Sequence, residues 1–568
     1  MKKNALLYFS FGLLSLTGFS SCQGLFNLDS EQVLFTENNT LDAPTDTVYS
    51  VVGVISKMQQ IADRTVLLGD IRSDLVSLTP DASLQLQGLA NFTAGTDNVY
   101  NAPEDYYAII NNCNYFITNV DTTLKKRNNP VFMKEYAVMK TYRAWTYLQL
   151  AQIYGSVPFV TEPILSEKQA SQTYEKKDVK AIAEYFINDL KPYINTPYPT
   201  YGTIGETNAV RFFIPVRLLL GDLCLWAGRY LEAATYYHDY LTNNANGMAL
   251  GTNRSQWTNS TNTFDGYPQN SYSSVFNNTG SEMISFIPME TSKFNGLVTD
   301  LRNVYNSTTD NKLYYQATFS TALRELSKSQ SNCKIYENLL TSTRDTLFAP
   351  SDNTTNPLFV GDLRLAAIYN HATVSNNKFG DYSTSYQTIS KIGTNVTTYR
   401  KAVIYLRYAE AMNRAGFPKA AFAVLKYGMT QANIGKYVDS TEIKTAGNLL
   451  AWDKNMFTTL NTIGIHSRGC GEASADKHYV IPKLASKNDT IDFVENKICD
   501  ELALETAFEG YRFFDLLRIN MHRNDWYQTT NNDFLAKKIA GRKGSANFDQ
   551  ALYDKLTDQT NWYLPLKK

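Results

Sequence analysis

Apolar residues recur along the chain at helical spacing. Ile109, Cys113, Phe116 and Val120 fall at i, i+4, i+7 and i+11, one stripe of an α-helix. Pro103 opens that helix, where a missing N–H costs nothing, and Glu104 and Asp105 suit its positive end. A second helix is predicted over 133–154, with Tyr136, Met139, Tyr142, Trp145 and Leu148 facing inward and Gly155 and Pro158 stopping it. Residues 210–226 read as a buried helix broken at Ala227-Gly228, with a partner helix over 230–241. The pattern returns over 402–414, with Ala415-Gly416 at the turn and a partner over 418–428. Superposing the two turns sets Leu218 against Leu406, Asp222 against Glu410 and Ala233 against Ala421. Small residues at such crossings let antiparallel helices approach closely, as in tetratricopeptide-like hairpins. Residues 501–509, Gly510 and 511–517 predict a further helix–turn–helix corner. The copies are scattered rather than tandem. The expected architecture is therefore mostly α, tetratricopeptide-like helical hairpins packed against an irregular, loop-rich half.

The segments between these helices differ in composition. Over residues 243–280, 23 of 38 are Asn, Ser, Thr or Gly, yet Trp257, Phe264, Tyr267, Tyr272 and Phe276 are interleaved. A flexible linker has no use for so many rings, so this stretch reads as an ordered loop that binds something. A second irregular block, over 341–398, carries Phe359, Tyr369, Tyr382 and Tyr386. Amides and hydroxyls beside aromatic faces suit a polar, ring-shaped or extended ligand.

Composition narrows the function classes. Of 568 residues, 54 are Lys or Arg and 54 Asp or Glu, so the formal net charge is zero, which argues against a partner held by its phosphates, such as a nucleic acid. Hydrophobic residues make up 43%, enough to build a core and to exclude global disorder. The six cysteines include no CxxC, and their spacing suits neither a disulfide scaffold nor a structural zinc site. They read mostly as buried apolar thiols.

Lys2 and Lys3 precede an uncharged apolar run over 5–19, too short to span a bilayer but right for a signal-peptide core. Ser20-Ser21 then lead into Cys22, and the whole resembles a bacterial lipoprotein signal, with Phe19 where Leu is usual. The expectation is cleavage of residues 1–21 and acylation of Cys22, leaving a chain tethered by acyl groups.

A wider resemblance rests on six landmarks. They are Gly69-Asp70-Ile71-Arg72-Ser73-Asp74, Tyr106-Tyr107-Ala108-Ile109-Ile110-Asn111-Asn112-Cys113-Asn114, Tyr142-Arg143-Ala144 leading into Tyr154-Gly155-Ser156-Val157-Pro158, Tyr405-Leu406-Arg407-Tyr408-Ala409-Glu410-Ala411, the run 505–518 (ETAFEGYRFFDLLR), and Trp562-Tyr563-Leu564-Pro565. In this order, and behind a lipoprotein start, they resemble the SusD/RagB family over essentially the whole mature chain. The resemblance implies a SusD-like α–α superhelix forming one domain over 22–568, with an N-terminal part of about 22–240 and a C-terminal part of about 275–568. It implies an outer-membrane lipoprotein, lipid-anchored and surface-exposed. Such a protein captures nutrient, mostly oligosaccharide and in some members peptide, and works as a lid on a SusC-like TonB-dependent transporter. No cofactor is implied, and a structural calcium is left open.

Catalysis has little support in the sequence. Glu501, Glu505 and Glu509 share one helix face, whereas glycosidase carboxylates come from elements that flank the bond. His466, Cys470 and His478 match no common zinc spacing. No GxSxG, HExxH, phosphate-binding glycine loop or GxGxxG occurs. Glu509 and Arg512 read as a pair across Gly510, and Asp515 with Arg518 as an i, i+3 pair, all scaffold. The chain reads as a binding protein rather than an enzyme. Candidate ligand contacts are Arg72, Asp74, Phe92, Asn98, Tyr100 and Asn101 on one wall and Trp257, Tyr267 and Tyr272 on the other, with Trp452 a further candidate.

Overall fold

The first long element lies upstream of every helix the apolar spacing picks out. In the computed structural model, which describes residues 44–566 apart from 244–247, 258–267, 277–279, 281, 291–296, 339, 354–355 and 377–381, helix α1 runs over Pro44–Asp70. Helices α2 (Pro103–Asn119) and α3 (Met133–Tyr154) follow, and α1 packs against both. Pro103 does open α2, with Glu104 and Asp105 in its first turn. Helix α4 (Val179–Leu190), capped by Asp178, then leads into the hairpin of α5 (Val216–Trp226) and α6 (Tyr230–Thr242).

The helix expected over 210–226 is two pieces. Residues Ala209–Phe212 form a 3-10 turn and α5 starts only after Pro215, which cannot donate into a helix interior and pushes Ile214 out of helical geometry. Within the α5–α6 hairpin, a Cβ on Gly221 would sit 2.6 Å from the Tyr237 ring, so the close crossing depends on that glycine. The second hairpin is α7 (Lys401–Arg414) with α8 (Pro418–Lys426), and α6 packs on α7, joining the two pairs. Helix α9 (Lys487–Thr506), opened by a Ser486–Asp489 capping box, and α10 (Arg512–Tyr527) close the helical frame.

Strands are short, and among the described residues each pairs in a two-stranded ladder. Two of these ladders tie distant parts together. Strand β1 (Val76–Leu78) runs antiparallel to β3 (Ala317–Phe319), with Ser77 opposite Thr318. Strand β2 (Met283–Pro288) pairs with β4 (Asn395–Arg400), which leads straight into α7. The block expected to be irregular over 341–398 instead contains two hairpins, Cys333–Asn338 with Thr343–Phe348 and Tyr369–Asn376 with Tyr382–Ile389. No helix among the described residues is long and apolar enough to cross a membrane.

Between the helical frame and the strands lies a buried ion network. Arg400 binds Glu505 at 2.8 Å, Glu509 at 2.6 Å and Glu282 at 3.3 Å. Arg468 binds Glu282 at 2.6 Å and Glu505 at 3.3 Å. Arg364 binds Asp362 and Glu501 at 2.7 Å and Glu505 at 3.1 Å, while Lys391 holds Glu509 at 2.5 Å. Burial alone would raise these glutamates, yet the surrounding guanidinium groups bring Glu501 down to about 2 and hold Glu505 and Glu509 below the usual carboxylate range. Glu509 lies in the turn beyond α9, so the three carboxylates do not share one helix face, and its partners are Arg400 and Lys391 rather than Arg512. Asp515 does pair with Arg518, at 2.8 Å, and Glu410 joins them.

The turn carrying Glu509 is seated by two glycines. Gly510 has φ 83°, and a Cβ on Gly69, at the end of α1, would overlap the Gly510 carbonyl oxygen. Backbone cannot yield as a side chain can. Gly69→Ala should therefore destabilise the fold by about 3 kcal/mol, read as a lowered midpoint in urea denaturation, whereas Gly53→Ala, which meets nothing within 4 Å, should be tolerated.

Candidate functional site

Two neighbouring residues of α1 fix two loops. Arg64 donates to the Ala102 carbonyl at 2.9 Å and pairs with Asp105, holding the end of the stretch 79–101. Asp63 accepts from the Thr299 hydroxyl at 2.6 Å and the Asp300 amide at 2.7 Å, holding the start of the stretch 297–316. At their other ends the stretches are joined by the β1–β3 ladder and by Thr79, whose amide and hydroxyl donate to the carbonyls of Gln316 and Tyr315. Ser83 caps a short helix, Leu84–Ala90, and its amide donates to the Gln316 side chain at 3.0 Å. The two loops thus form one face.

Large apolar side chains stand exposed on it: Leu84 at 80%, Val99 at 66%, Val298 at 53% and Tyr314 at 40%. Lone exposed apolar residues are ordinary, but four on two joined loops are more than chance exposure supplies. Buried Asn311 sets one side, donating to the Asn306 carbonyl at 2.7 Å and accepting from the Thr308 and Leu313 amides. That turn places Lys312 and Leu313 at φ 58° and 68°, and Phe92 on the facing loop has φ 55°. Left-handed backbone at bulky residues is uncommon and collects at functional sites. Tyr100 is half-buried between Asp63 and Asp300; burial first, then those carboxylates, push its phenol up to about 12, so it stays a hydrogen-bond donor. Asp97 and Asp300 are exposed on the same loops.

The residues named from sequence on the first wall fall on these loops or just before them, but most are turned inward. Arg72 is buried, donates to the Trp562 carbonyl and lies 4.0 Å over the Phe513 ring and 5.2 Å over Phe92; burial lowers it to about 9. Asp74 takes both prongs of Arg512 at 2.7 and 2.8 Å, which outweighs burial and holds its carboxyl below the ordinary value. Asn101 is fully buried and donates to the Gly95 and Pro565 carbonyls. Asn98 donates to the Gln85 carbonyl and accepts from the Tyr100 amide. Phe92 packs on Phe513 with ring centroids 5.7 Å apart. Tyr100 alone of the six stands at the face with a polar tip.

The second wall is a correction. Trp257 is buried edge-on against Phe359, and Tyr272 is fully buried, donating to the Glu505 carbonyl beneath the Arg468 guanidinium. Trp452 packs among Tyr405, Tyr408, His238 and Phe457. These rings serve the core, because a polar loop laid across a large protein covers itself with its own aromatics. Tyr267, like Cys22 and the leader 1–21, lies outside the described residues. The loop that does meet residues 79–101 is 297–316, which sequence reasoning passed over; its signal was the Asn311 turn followed by Tyr314-Tyr315. The five described cysteines are free and buried.

The sequence of the C-terminal part decides the family: residues 225–568 match the model of the SusD family. The chain belongs to the SusD family. Among solved structures it is similar to a SusD-like carbohydrate binding protein from Bacteroides fragilis, at 14% identity and TM-score 0.53, covering 85% of this chain and 88% of that one. A SusD superfamily protein from Bacteroides vulgatus gives 13% identity and TM-score 0.53 over 92% and 97%. A SusD-like carbohydrate binding protein from the same species gives 17% identity and TM-score 0.51 over 84% and 83%. No curated protein matches. At these identities the likeness to solved structures is one of fold, and SusD membership rests on the family match.

In this SusD chain the buried charges of the first wall hold the fold. Asp74→Ala would strand the Arg512 guanidinium in the interior and should cost about 3–5 kcal/mol in urea denaturation.

Proposed function

We propose that the protein is a cell-surface binding lipoprotein that captures an oligosaccharide at the face between residues 79–101 and 297–316 and passes it to a SusC-like TonB-dependent outer-membrane transporter. The observation that carries this reading is the face itself, with Tyr314 and Tyr100 offering rings and a donor beside the Asp97 and Asp300 carboxylates. Rings stack on sugar faces and carboxylates accept from sugar hydroxyls, so the set suits a neutral, hydroxyl-rich ligand. The Bacteroides neighbours described as carbohydrate binding support the ligand class. Binding without catalysis is supported by the fate of Glu501, Glu505 and Glu509, each of which is held by Arg or Lys side chains in the interior. The lipid tether rests on the run from Lys2 to Cys22, and residues 22–568 are read as one unit.

A second reading is favoured by a specific observation: Leu84, Val99 and Val298 are aliphatic, and with two carboxylates they would also suit an extended peptide with apolar and basic side chains. Calorimetric titration against oligosaccharide and peptide panels separates the two. Oligosaccharide binding is expected, weakened about three- to tenfold by Tyr314→Ala; heat from peptides alone transfers the face to the second reading, and new reducing ends after incubation would make the protein an enzyme. For the tether, Cys22→Ser should abolish palmitate incorporation and release the protein from the membrane fraction.

A further inference from the structure

At the edge of the ion network, a thiol and an imidazole converge on the Asp362 carboxylate that Arg364 also holds. Asp362, His466 and Cys470 converge so that one carboxylate oxygen, one ring nitrogen and the thiol sulfur all lie within 4.8 Å of one another. All three residues are buried. The Cys470 thiol donates to Asp362 Oδ2 at 3.3 Å, an oxygen that also accepts from Arg364 at 2.7 Å; two ligands on one small metal ion stand about as far apart. The short helix Ser467–Cys470 sets His466 and Cys470 one turn apart, and the Cys470 amide donates to the His466 carbonyl at 3.0 Å. A Cβ on Gly469 would collide with the Asp362 carboxylate, so that glycine lets the acid reach the turn.

The two ring nitrogens of His466 have different surroundings. Nδ1 lies 2.5 Å from Glu501 Oε1, and that carboxylate also accepts from the Tyr479 hydroxyl and from Arg364. Nε2 is buried without a hydrogen-bond partner. A carboxylate on one nitrogen and nothing on the other is how a metal-binding histidine is held: the acid fixes the tautomer, and the free lone pair is the ligand. The Tyr479 ring stacks on the imidazole at 3.7 Å and 7°, fixing its plane.

Five buried carboxylates, those of Asp362, Glu282, Glu501, Glu505 and Glu509, share their surroundings with five cations, Arg364, Arg400, Arg468, Lys391 and Lys401, so a thiolate at Cys470 would have only a bound cation to balance it. A cavity of about 420 Å³ lies one layer of side chains away: of its lining residues, Asn332 donates to the Gly469 carbonyl, Gly361 precedes Asp362 and Tyr479 stacks on His466.

We propose that Asp362, His466 through Nε2, and Cys470 form a structural binding site for a borderline-soft divalent cation of the zinc class. The thiolate and imidazole select this class over calcium and magnesium, which prefer all-oxygen cages. On binding, the Cys470 S–H bond breaks, its proton leaves to solvent, and sulfur donates its electron pair to the metal; no oxidation state changes. The ion clamps the turn 466–470 to Asp362, and through Glu501 to α9. His478, which sequence alone groups with this pair, is exposed against the Phe348 ring and takes no part.

The test uses the full mature chain, zinc and cobalt(II). After loading and removal of excess metal, about one equivalent should remain per chain, and the cobalt form should show an intense near-ultraviolet sulfur-to-cobalt charge-transfer band. Cys470→Ser should abolish that band, while Cys333→Ser and Cys499→Ser should keep it. Zinc-edge X-ray absorption on the unaltered protein, which requires no variant to fold, should find one sulfur among nitrogen and oxygen neighbours. A folded protein that retains no metal, an all-nitrogen/oxygen shell, or a band that survives Cys470→Ser overturns the proposal. Loss of ligand binding in the earlier titration would leave it standing, since the two readings share no residue.

Discussion

Three distant segments of this chain meet at Glu505. Its two oxygens take Arg400, Arg364 and Arg468, which arrive from the end of a β-ladder and from two short helices, Arg364–Ile368 and Ser467–Cys470. An ionised group in the interior costs several kcal/mol unless its partners are in place, so these segments cannot settle independently. Placing Arg400 fixes where β4 ends and α7 begins; placing Glu509 fixes the turn that receives the end of α1. The network is therefore less a source of net stability than a condition on geometry. It demands that residues 282, 364, 400, 468 and 505 be right together or not at all.

That condition explains what the sequence could and could not tell. The stripe through Ile109, Cys113 and Phe116, and the Gly155–Pro158 stop, are local signals, and the helices they predict appear with nearly the expected bounds. Pro215 was an equally local signal against a continuous helix over 210–226. The partners of Arg400 lie more than a hundred residues away, and no spacing rule reaches that far. Pairing Glu509 with Arg512 was the best local guess, and both found distant partners instead. The same limit governs the ligand face. Rings in a polar stretch can be read as exposed or as self-covering only when it is known what the stretch lies on, and Trp257 and Tyr272 lie on the frame.

The face between the two loops shows how little machinery positions a surface. Asp63 and Arg64 are consecutive on α1, so their side chains diverge, one toward each loop. The helix that carries them is anchored at its far end by the Gly69–Gly510 contact, and so through Glu509 to the ion network. Buried charge thus fixes one end of each loop, and long-range bonds such as Asn101 to the Pro565 carbonyl, Lys555 to the Phe92 carbonyl and Gln387 to the Tyr305 carbonyl hold the rest. Loops held in this way can change sequence while the frame stays put.

Net charge, finally, says less about the ligand than it first suggests. The chain balances 54 basic against 54 acidic residues, and neutrality toward a ligand would follow if both were spread evenly. They are not. Burial takes both signs out of reach, arginines such as Arg364, Arg400 and Arg468 together with carboxylates such as Glu282, Asp362 and Glu505, and on the two loops of the face exposed acids Asp81, Asp97, Asp300 and Asp310 outnumber exposed bases Arg302 and Lys312. A field that reaches only about 8–10 Å at physiological salt is set by those nearby groups and not by the sum. The face is therefore mildly acidic on a neutral protein. A carboxylate accepts equally from a sugar hydroxyl and from an ammonium group, so under the proposed function the discriminating contacts are the apolar ones: the Tyr314 ring would favour a glycan, and the branched side chains of Leu84, Val99 and Val298 a peptide.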